Sequence, residues 1–463
     1  MKKTLFYSGA FALCATTILA QPVAFAGNGT QGYSGDGGLA TNAQLNYISA
    51  FCGDASGNIF ISDFGNADIR KVDASGIITT FAGNQIHTFA GDGGLAAVAS
   101  ISVHATPYGN NYNFDIAKDA AGNLYMNEMS NYRIRKVSTT GIITTIAGTG
   151  TSGNTGNGGL ATSANINSAH MTCDATGNIY FTDETNNVIR KINTSGIITT
   201  IAGTGTVGYS GDGGLATSAN INLPRSIVVT ATGIIYFSDY NNSRIRKIDA
   251  SGIISTYGGI GSLGYSGDGG LATLAKISPV TLALNPSSEL VFVSMSNENA
   301  LGDFNGRVNI RKINGAGVVS TVRDSSYYYQ GGQYVGNMRS VFIDASNNMY
   351  YSPDFNVCVG FCDPSKVYKL SLNPQVATGI ESLQSNNNLI KNYPNPSNGK
   401  FVVETALLED ASIEIFDITG KLVHNQTIVS NKTDVNINLN SGTYNLVLKA
   451  NGTSINKNVV IAK

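Results

Sequence analysis

Charge is scarce in this chain: Asp, Glu, Lys and Arg make up 13% of its 463 residues, about half the roughly 25% of an ordinary soluble protein. The 29 basic and 30 acidic residues leave a net charge of −1 and form no long run of one sign. That excludes a nucleic-acid binder working by phosphate neutralisation. Tryptophan is absent and histidine occurs only 4 times, so a metal mouth built from several imidazoles is not visible. No run of 18 apolar residues follows the N-terminal segment, and no transmembrane helix is expected. What the chain has instead is 54 Gly and 22 Tyr, the composition of a turn-rich β protein. Its length allows more than one domain.

The N-terminus reads as an export signal. Lys2 and Lys3 form the positive end, Leu5 to Leu19 is apolar with small residues, and cleavage sites compete after Ala20 and after Ala26. Leu13 before Cys14 argues against a lipoprotein anchor. Export implies an oxidising compartment. Of the four remaining cysteines, Cys358 and Cys362 are close enough in sequence for a local disulfide, whereas Cys52 and Cys173 read as small buried apolar side chains.

An internal repeat dominates the chain. Gly57-Asn58-Ile59-Phe60-Ile61-Ser62-Asp63 recurs from Gly122, Gly177 and Gly233, and more weakly from Ser288 and Asn347, at successive spacings of 65, 55, 56, 55 and 59 residues. Each unit alternates β-branched or aromatic runs with Asp-Ala-Ser-Gly-type turns, which predicts four short antiparallel strands. The second run, Ile59-Phe60-Ile61 in the first unit, is apolar at consecutive positions, as a strand covered on both faces must be. Between units runs the connector Gly-Tyr-Ser-Gly-Asp-Gly-Gly-Leu-Ala, at Gly32 to Ala40, Gly208 to Ala216 and Gly264 to Ala272, with variants from Gly91 and Gly156.

Period, turns and connector together resemble NHL repeats in their extracellular bacterial form, from about Gln21 to Asn373. The resemblance implies a six-bladed β-propeller, all-β in class. The sixth unit stops after its third strand, Lys366 to Leu370, while Val23-Ala24-Phe25-Ala26-Gly27 aligns with the fourth strand Thr79 to Gly83. The N-terminus is therefore expected to complete the last blade and remove an open edge. That favours cleavage after Ala20.

After Asn373 the pattern ends. Residues 374–388 read as a linker, and residues 389–463 as a small Ig-like β-sandwich with strands over Ser412 to Ile418, Thr443 to Lys449 and Asn458 to Lys463. Tyr393-Pro394-Asn395-Pro396 with Gly399 and Phe401, then Ile415 to Lys421 including Gly420, then Lys457 to the terminal Lys463, resemble the C-terminal sorting domain of type IX secretion substrates. The resemblance implies the type IX machinery as a partner and translocation across the outer membrane of a Bacteroidetes-type bacterium. Removal of the domain would follow, with release or attachment to surface glycolipid. The protein is expected to be secreted or on the cell surface, and monomeric.

Three repeat-wide features invite chemistry. The strand carboxylates Asp63, Glu128, Asp183 and Asp239 read as acceptors for backbone N–H groups in the following turn, since a residue present in most units serves the repeat. The connector aspartates Asp36, Asp92, Asp212 and Asp268 could ligate Ca²⁺, but Asn157 replaces the fifth and an Asx turn is favoured, so no cofactor is expected. The pairs from Arg70-Lys71 to Arg311-Lys312 read as a solvated rim with the Arg stems between blades.

Differences between units say more about function. The first strands place Ala50, Asp115, His170, Ser226, Thr281 and Ser340 at one level of a central channel, with Ser49, Phe114, Ala169, Arg225, Val280 and Arg339 one level before. Insertions fall on the same face: Tyr108 and Tyr112 before unit two, Asn297 to Arg307 in unit five, and Tyr327, Tyr328, Tyr329 and Tyr334 before unit six. Exposed Tyr among Asn, Gln and Gly suits adaptable recognition and sugar stacking. The favoured reading is non-catalytic binding of a protein or glycan through this loop-rich face. The alternatives are a lyase or lactonase with a channel-bound metal, centred on Asp115 and His170 with Arg225 or Arg339 for an anionic substrate, and a structural surface or adhesion repeat.

Overall fold

The computed structural model describes residues 22–103, 114–296, 307–325, 338–353, 365–373, 390–393, 397–405, 412–418, 421–428, 432–450 and 453–463. The chain separates into two compact units, one ending at Gln375 and the other beginning at Val376.

The larger unit consists of six four-stranded antiparallel sheets. Blade one comprises Ile48–Gly53, Ile59–Asp63, Asp68–Val72 and Ile78–Gly83, and blades two to five repeat it. Their first strands are Ile116–Lys118, Met171–Cys173, Pro224–Val229 and Pro279–Leu284. Blade six takes Met338–Ile343, Asn348–Pro353 and Val367–Ser371 from late in the chain and Val23–Ala26 from its start. Val23 pairs with Lys369 and Ala24 with Tyr368, and the outermost edge of the last blade is covered by the earliest described strand. First strands touch each other in the order one to six and back to one, which closes the ring.

Alternation explains the packing. In the second strand every residue of Ile59–Asp63 is buried, because both faces lie against neighbouring sheets. Phe181, Phe237 and Phe292 occupy equivalent positions, opposite Arg190, Arg246 and Arg311, and are all 0% exposed. The turns behave as their residues require: Asp54 Oδ1 accepts the backbone N–H groups of Ser56 and Asn58 at 3.0 and 3.1 Å. Four connectors, closing at Ala40, Ala161, Ala216 and Ala272, are stapled at both ends, as where Ala40 N donates to Gly76 O and Ala40 O accepts from Gly27 N, both at 2.9 Å. Their glycines permit this. Gly211 has φ +87° and a Cβ there would lie 2.6 Å from the Ala219 Cβ, so any other residue would clash and be strained.

Two repeat-wide readings need correction. The Arg of each Arg-Lys pair is not at a solvated rim: Arg70, Arg135, Arg190, Arg246 and Arg311 are 0% exposed, and only the lysines are half-buried. The connector aspartate and the strand carboxylate are their partners. Arg246 lies 3.1 Å from Asp239 and 2.6 Å from Asp212; Arg135 lies 2.9 Å from Glu128 and 2.8 Å from Asp92. The connector aromatic caps the guanidinium, with Tyr209 4.8 Å from Arg246 and Phe89 4.9 Å from Arg135. A charge cannot be buried without compensation, and the Gly-Tyr-Ser-Gly-Asp connector supplies it. Blade three lacks the connector carboxylate at Asn157, and Arg190 keeps the carbonyl bonds, to Asn165 O and Thr155 O at 3.1 and 2.7 Å, that Arg135 and Arg311 make in addition to their aspartate.

The second unit is a sandwich of a three-stranded and a four-stranded sheet, with strands Ser412–Phe416, Gly442–Ala450 and Thr453–Ile461 close to the expected runs. Its core contains Phe401, Ile413, Ile415, Val435, Leu446 and Ile461. Among the sorting-motif residues, Gly399 has φ +97° with Ile437 O against its Cα, Phe401 is 3% exposed, and Lys463 N donates to Ser441 Oγ at 3.0 Å. Tyr393 ends the strand Ile390–Tyr393. Pro394, Asn395, Pro396 and Gly420 lie outside the described residues.

Candidate functional site: the mouth of the central channel

The first strands enclose a cavity of about 250 Å³ on the propeller axis. Asp115, His170, Ser226, Thr281 and Ser340 line it, one from each of blades two to six. Ala50, at the same level of blade one, does not: it is buried in the core beside Phe60, and Phe51 lines the wall there instead.

Backbone hydrogen bonds hold the ring rigid across blade boundaries. Asp115 Oδ1 accepts Ile116 N and Oδ2 accepts Met171 N of the next blade, both at 2.9 Å. Asn127 accepts from Asp115 N and donates to Ala169 O, each at 2.6 Å. His170 Nδ1 is 3.5 Å from Asp115 Oδ2, and His170 Nε2 has no partner among the described residues. Ser226 Oγ accepts Leu282 N of blade five at 2.9 Å, which leaves its own proton free to donate.

One level up, Ser49, Phe114, Ala169 and Val280 are buried, and Arg225 alone of the described side chains reaches out. Its guanidinium stacks 4.0 Å above the Tyr240 ring, and its Nε lies 4.0 Å from Glu184 Oε1. The side chains of Arg225 and Glu184 are 34% and 18% exposed. Glu184 Oε1 is buried and accepts no hydrogen bond.

Glu184 and Tyr240 were not among the candidates read from sequence. They follow the second-strand carboxylate of their blades, where blades one and two have Phe64 and Met129. That inequality between repeats is the sequence signal that marks them. Arg339 lies in the first strand of blade six. Tyr108, Tyr112, Tyr327, Tyr328, Tyr329, Tyr334, Cys358 and Cys362 fall outside the described residues. Cys52 and Cys173 are free thiols, and burial pushes both above the ordinary cysteine range, as expected of inert packed side chains. Among the described residues no three His, Cys, Asp or Glu side chains gather as a metal site would need, and no helix is long and apolar enough to cross a membrane.

A second hollow of about 760 Å³ opens at the turns of blades one, two and six. Of its two lysines, Lys71 and Lys118, Lys118 is already occupied, lying 4.1 Å over the Phe60 ring and 3.7 Å from Asp54.

Comparison with known proteins agrees with the two-part architecture. Residues 391–462 match the family described as a secretion system C-terminal sorting domain, and residues 205–305 match the teneurin NHL domain. Human teneurin-1 is 28% identical over 243 residues, 47% of this chain, and human teneurin-4 is 39% identical over 93 residues, 19% of this chain. The aligned regions are 8% and 3% of those proteins, so the chain spans only a small part of the curated relatives it matches. Among solved structures, a Bacteroides thetaiotaomicron protein of unknown function is 14% identical with TM-score 0.48, covering 76% of this chain and 75% of that one. Virginiamycin B lyase from Staphylococcus aureus is 15% identical with TM-score 0.41, covering 70% and 95%. The chain is thus an NHL-type β-propeller carrying a C-terminal type IX secretion sorting domain, which makes it a secreted or cell-surface protein.

Proposed function

We propose that the propeller is a non-catalytic recognition module that holds a protein or carbohydrate ligand at its channel mouth and the loops of the same face. The observation that supports this reading is the ring itself. Five equivalent positions carry four different kinds of polar residue, all lining one cavity, whereas positions that serve the fold repeat. Binding of a full-chain preparation to a glycan array and a surface-protein panel tests it. Ligands are expected whose binding falls at least about tenfold on Thr281→Val with Ser340→Ala, the loss of two hydrogen bonds. Binding unaffected by that double variant overturns the channel-mouth site.

The same proposal takes residues 1–20 as the cleaved export signal, 21–373 as the propeller, 374–388 as a linker and 389–463 as the sorting domain. The pairing of Val23–Ala26 with Val367–Ser371 supports the first boundary, since cleavage after Ala26 would delete a strand. A second reading, a lyase or lactonase, is favoured by one contact, the approach of His170 Nδ1 to Asp115, which leaves Nε2 facing no protein partner. Turnover of a lactone or cyclic depsipeptide that disappears on His170→Ala would establish that reading instead.

A further inference from the structure

We infer that the ligand of this mouth is a carboxylate-bearing sugar, a uronate unit of an acidic glycan, with its carboxylate on Arg225. The inference rests on the recognition reading above and narrows it to one chemistry.

Arg225 differs from the other arginines whose side chains are described. Arg70, Arg135, Arg190, Arg246 and Arg311 spend their Nη groups on carboxylates and backbone carbonyls. Arg133 and Arg244 spend theirs on carbonyls of nearby turns. Arg225 makes no hydrogen bond through Nη1 or Nη2, yet its plane is held by Tyr240 beneath and its Nε leans toward Glu184. A guanidinium fixed in orientation with both terminal nitrogens free is a fork awaiting a planar, two-oxygen anion.

The surroundings decide which anion. Glu184 already sets one carboxylate beside the guanidinium, so a dianionic phosphate would meet about twice the repulsion that a monoanionic carboxylate meets. His170, which lines the cavity, has no protein partner at Nε2 among the described residues. Ser226, Thr281 and Ser340 add hydroxyls on the cavity wall. A ligand with one carboxylate and several hydroxyl groups satisfies all of these, and an acidic peptide side chain, which lacks the hydroxyls, does not. The cavity of about 250 Å³ lies below the roughly 300–1,000 Å³ of sites that enclose a drug-sized ligand. It takes one terminal unit of a chain.

The experiment is calorimetric titration of the full chain with oligogalacturonate, with a galactan oligomer of equal length, and with an oligoglutamate peptide. Oligogalacturonate is expected to bind at least about tenfold more tightly than galactan, the usual size of a charge-assisted hydrogen-bond pair. Arg225→Gln is expected to remove that difference by weakening oligogalacturonate about tenfold. Arg225 is partly exposed, so the variant should keep the parent's melting temperature. Equal binding of the two glycans, insensitive to Arg225→Gln, overturns the carboxylate inference while glycan recognition stands. Binding of oligoglutamate in preference to both overturns it and points the recognition reading to a protein. Binding of none of the three overturns it as well, and the array screen then judges the broader reading.

Discussion

At the residue scale, the most informative contrast is between arginines that serve the blade and Arg225, which among the described side chains does not. Arg246 is sealed between Asp239, Asp212 and Tyr209. Truncation to Met would leave Asp239, itself 0% exposed, as an uncompensated buried charge, at a cost of about 3–5 kcal/mol. Blade three offers the converse. Asn157 stands where other connectors have Asp, and it already accepts Thr200 N as those aspartates accept the corresponding threonine or its neighbours. Asn157→Asp should therefore supply the missing partner of Arg190 without rebuilding the turn. A gain of up to about 1 kcal/mol is expected, since the new carboxylate would be partly exposed. Thermal unfolding of the two variants checks both directions, and an Asn157→Asp protein less stable than the parent contradicts the clamp.

At the scale of elements, the earliest strand matters most. Val23–Ala26 contributes Ala26, fully buried, and Phe25, whose ring meets Tyr350 edge-on at 4.8 Å. Without it the strand Val367–Ser371 would become a bare edge ready to pair with another chain. A chain beginning at Gly27 should melt several degrees below one beginning at Gln21 and should aggregate on heating. Sequencing the N-terminus of the exported protein, together with light scattering during a melt, checks this. The connectors show the same logic in blades one, two, four and five: Gly and Asp placed for one hydrogen-bonding geometry, with an aromatic laid over the guanidinium.

For the whole molecule, pH reports on two populations of carboxylate. Burial pushes Asp63 up to about 7 and Asp68 and Asp183 up to about 6, and it raises Glu128 and Asp239. These groups hold a proton more tightly when folded, so their favourable contribution is complete below the unfolded carboxylate range near 4 and is lost as pH rises to 6–7. Burial also acts on Asp36, Asp54, Asp119, Asp174, Asp212 and Asp268. There it is outweighed by hydrogen bonds, such as those from Thr80 and Asn58, and by Arg70, Arg246 and Arg311, which hold these groups below the ordinary range. Their contribution is present above about 4 and lost as pH falls further. The melting temperature should therefore peak on the acid side of neutrality, between about pH 4 and 6. A curve that rises monotonically from pH 4 to 8 contradicts the burial of these carboxylates.

Much of this was legible in the sequence because a repeat reports its own geometry. Period, turn residues and the two-sided apolar second strand are local, and local physics repeated six times leaves one architecture. The closing strand was legible for the same reason, since Val23 to Gly27 copies a fourth strand that blade six lacks. Position around the ring was legible too, so Asp115, His170, Ser226, Thr281 and Ser340 could be aligned before they were seen to meet. What a repeat conceals is which residues face each other across non-local distances. Asp36 and Arg70, or Asp212 and Arg246, lie 34 residues apart, and only folding turns an apparent rim of charge into a buried clamp. Arg225, Glu184 and Tyr240 come from two blades and three separate segments. Chain order alone determined the blades and their export tag; only the closed ring decided which arginine was left with its fork unpaired, because burial and partnership are properties of the packed blades.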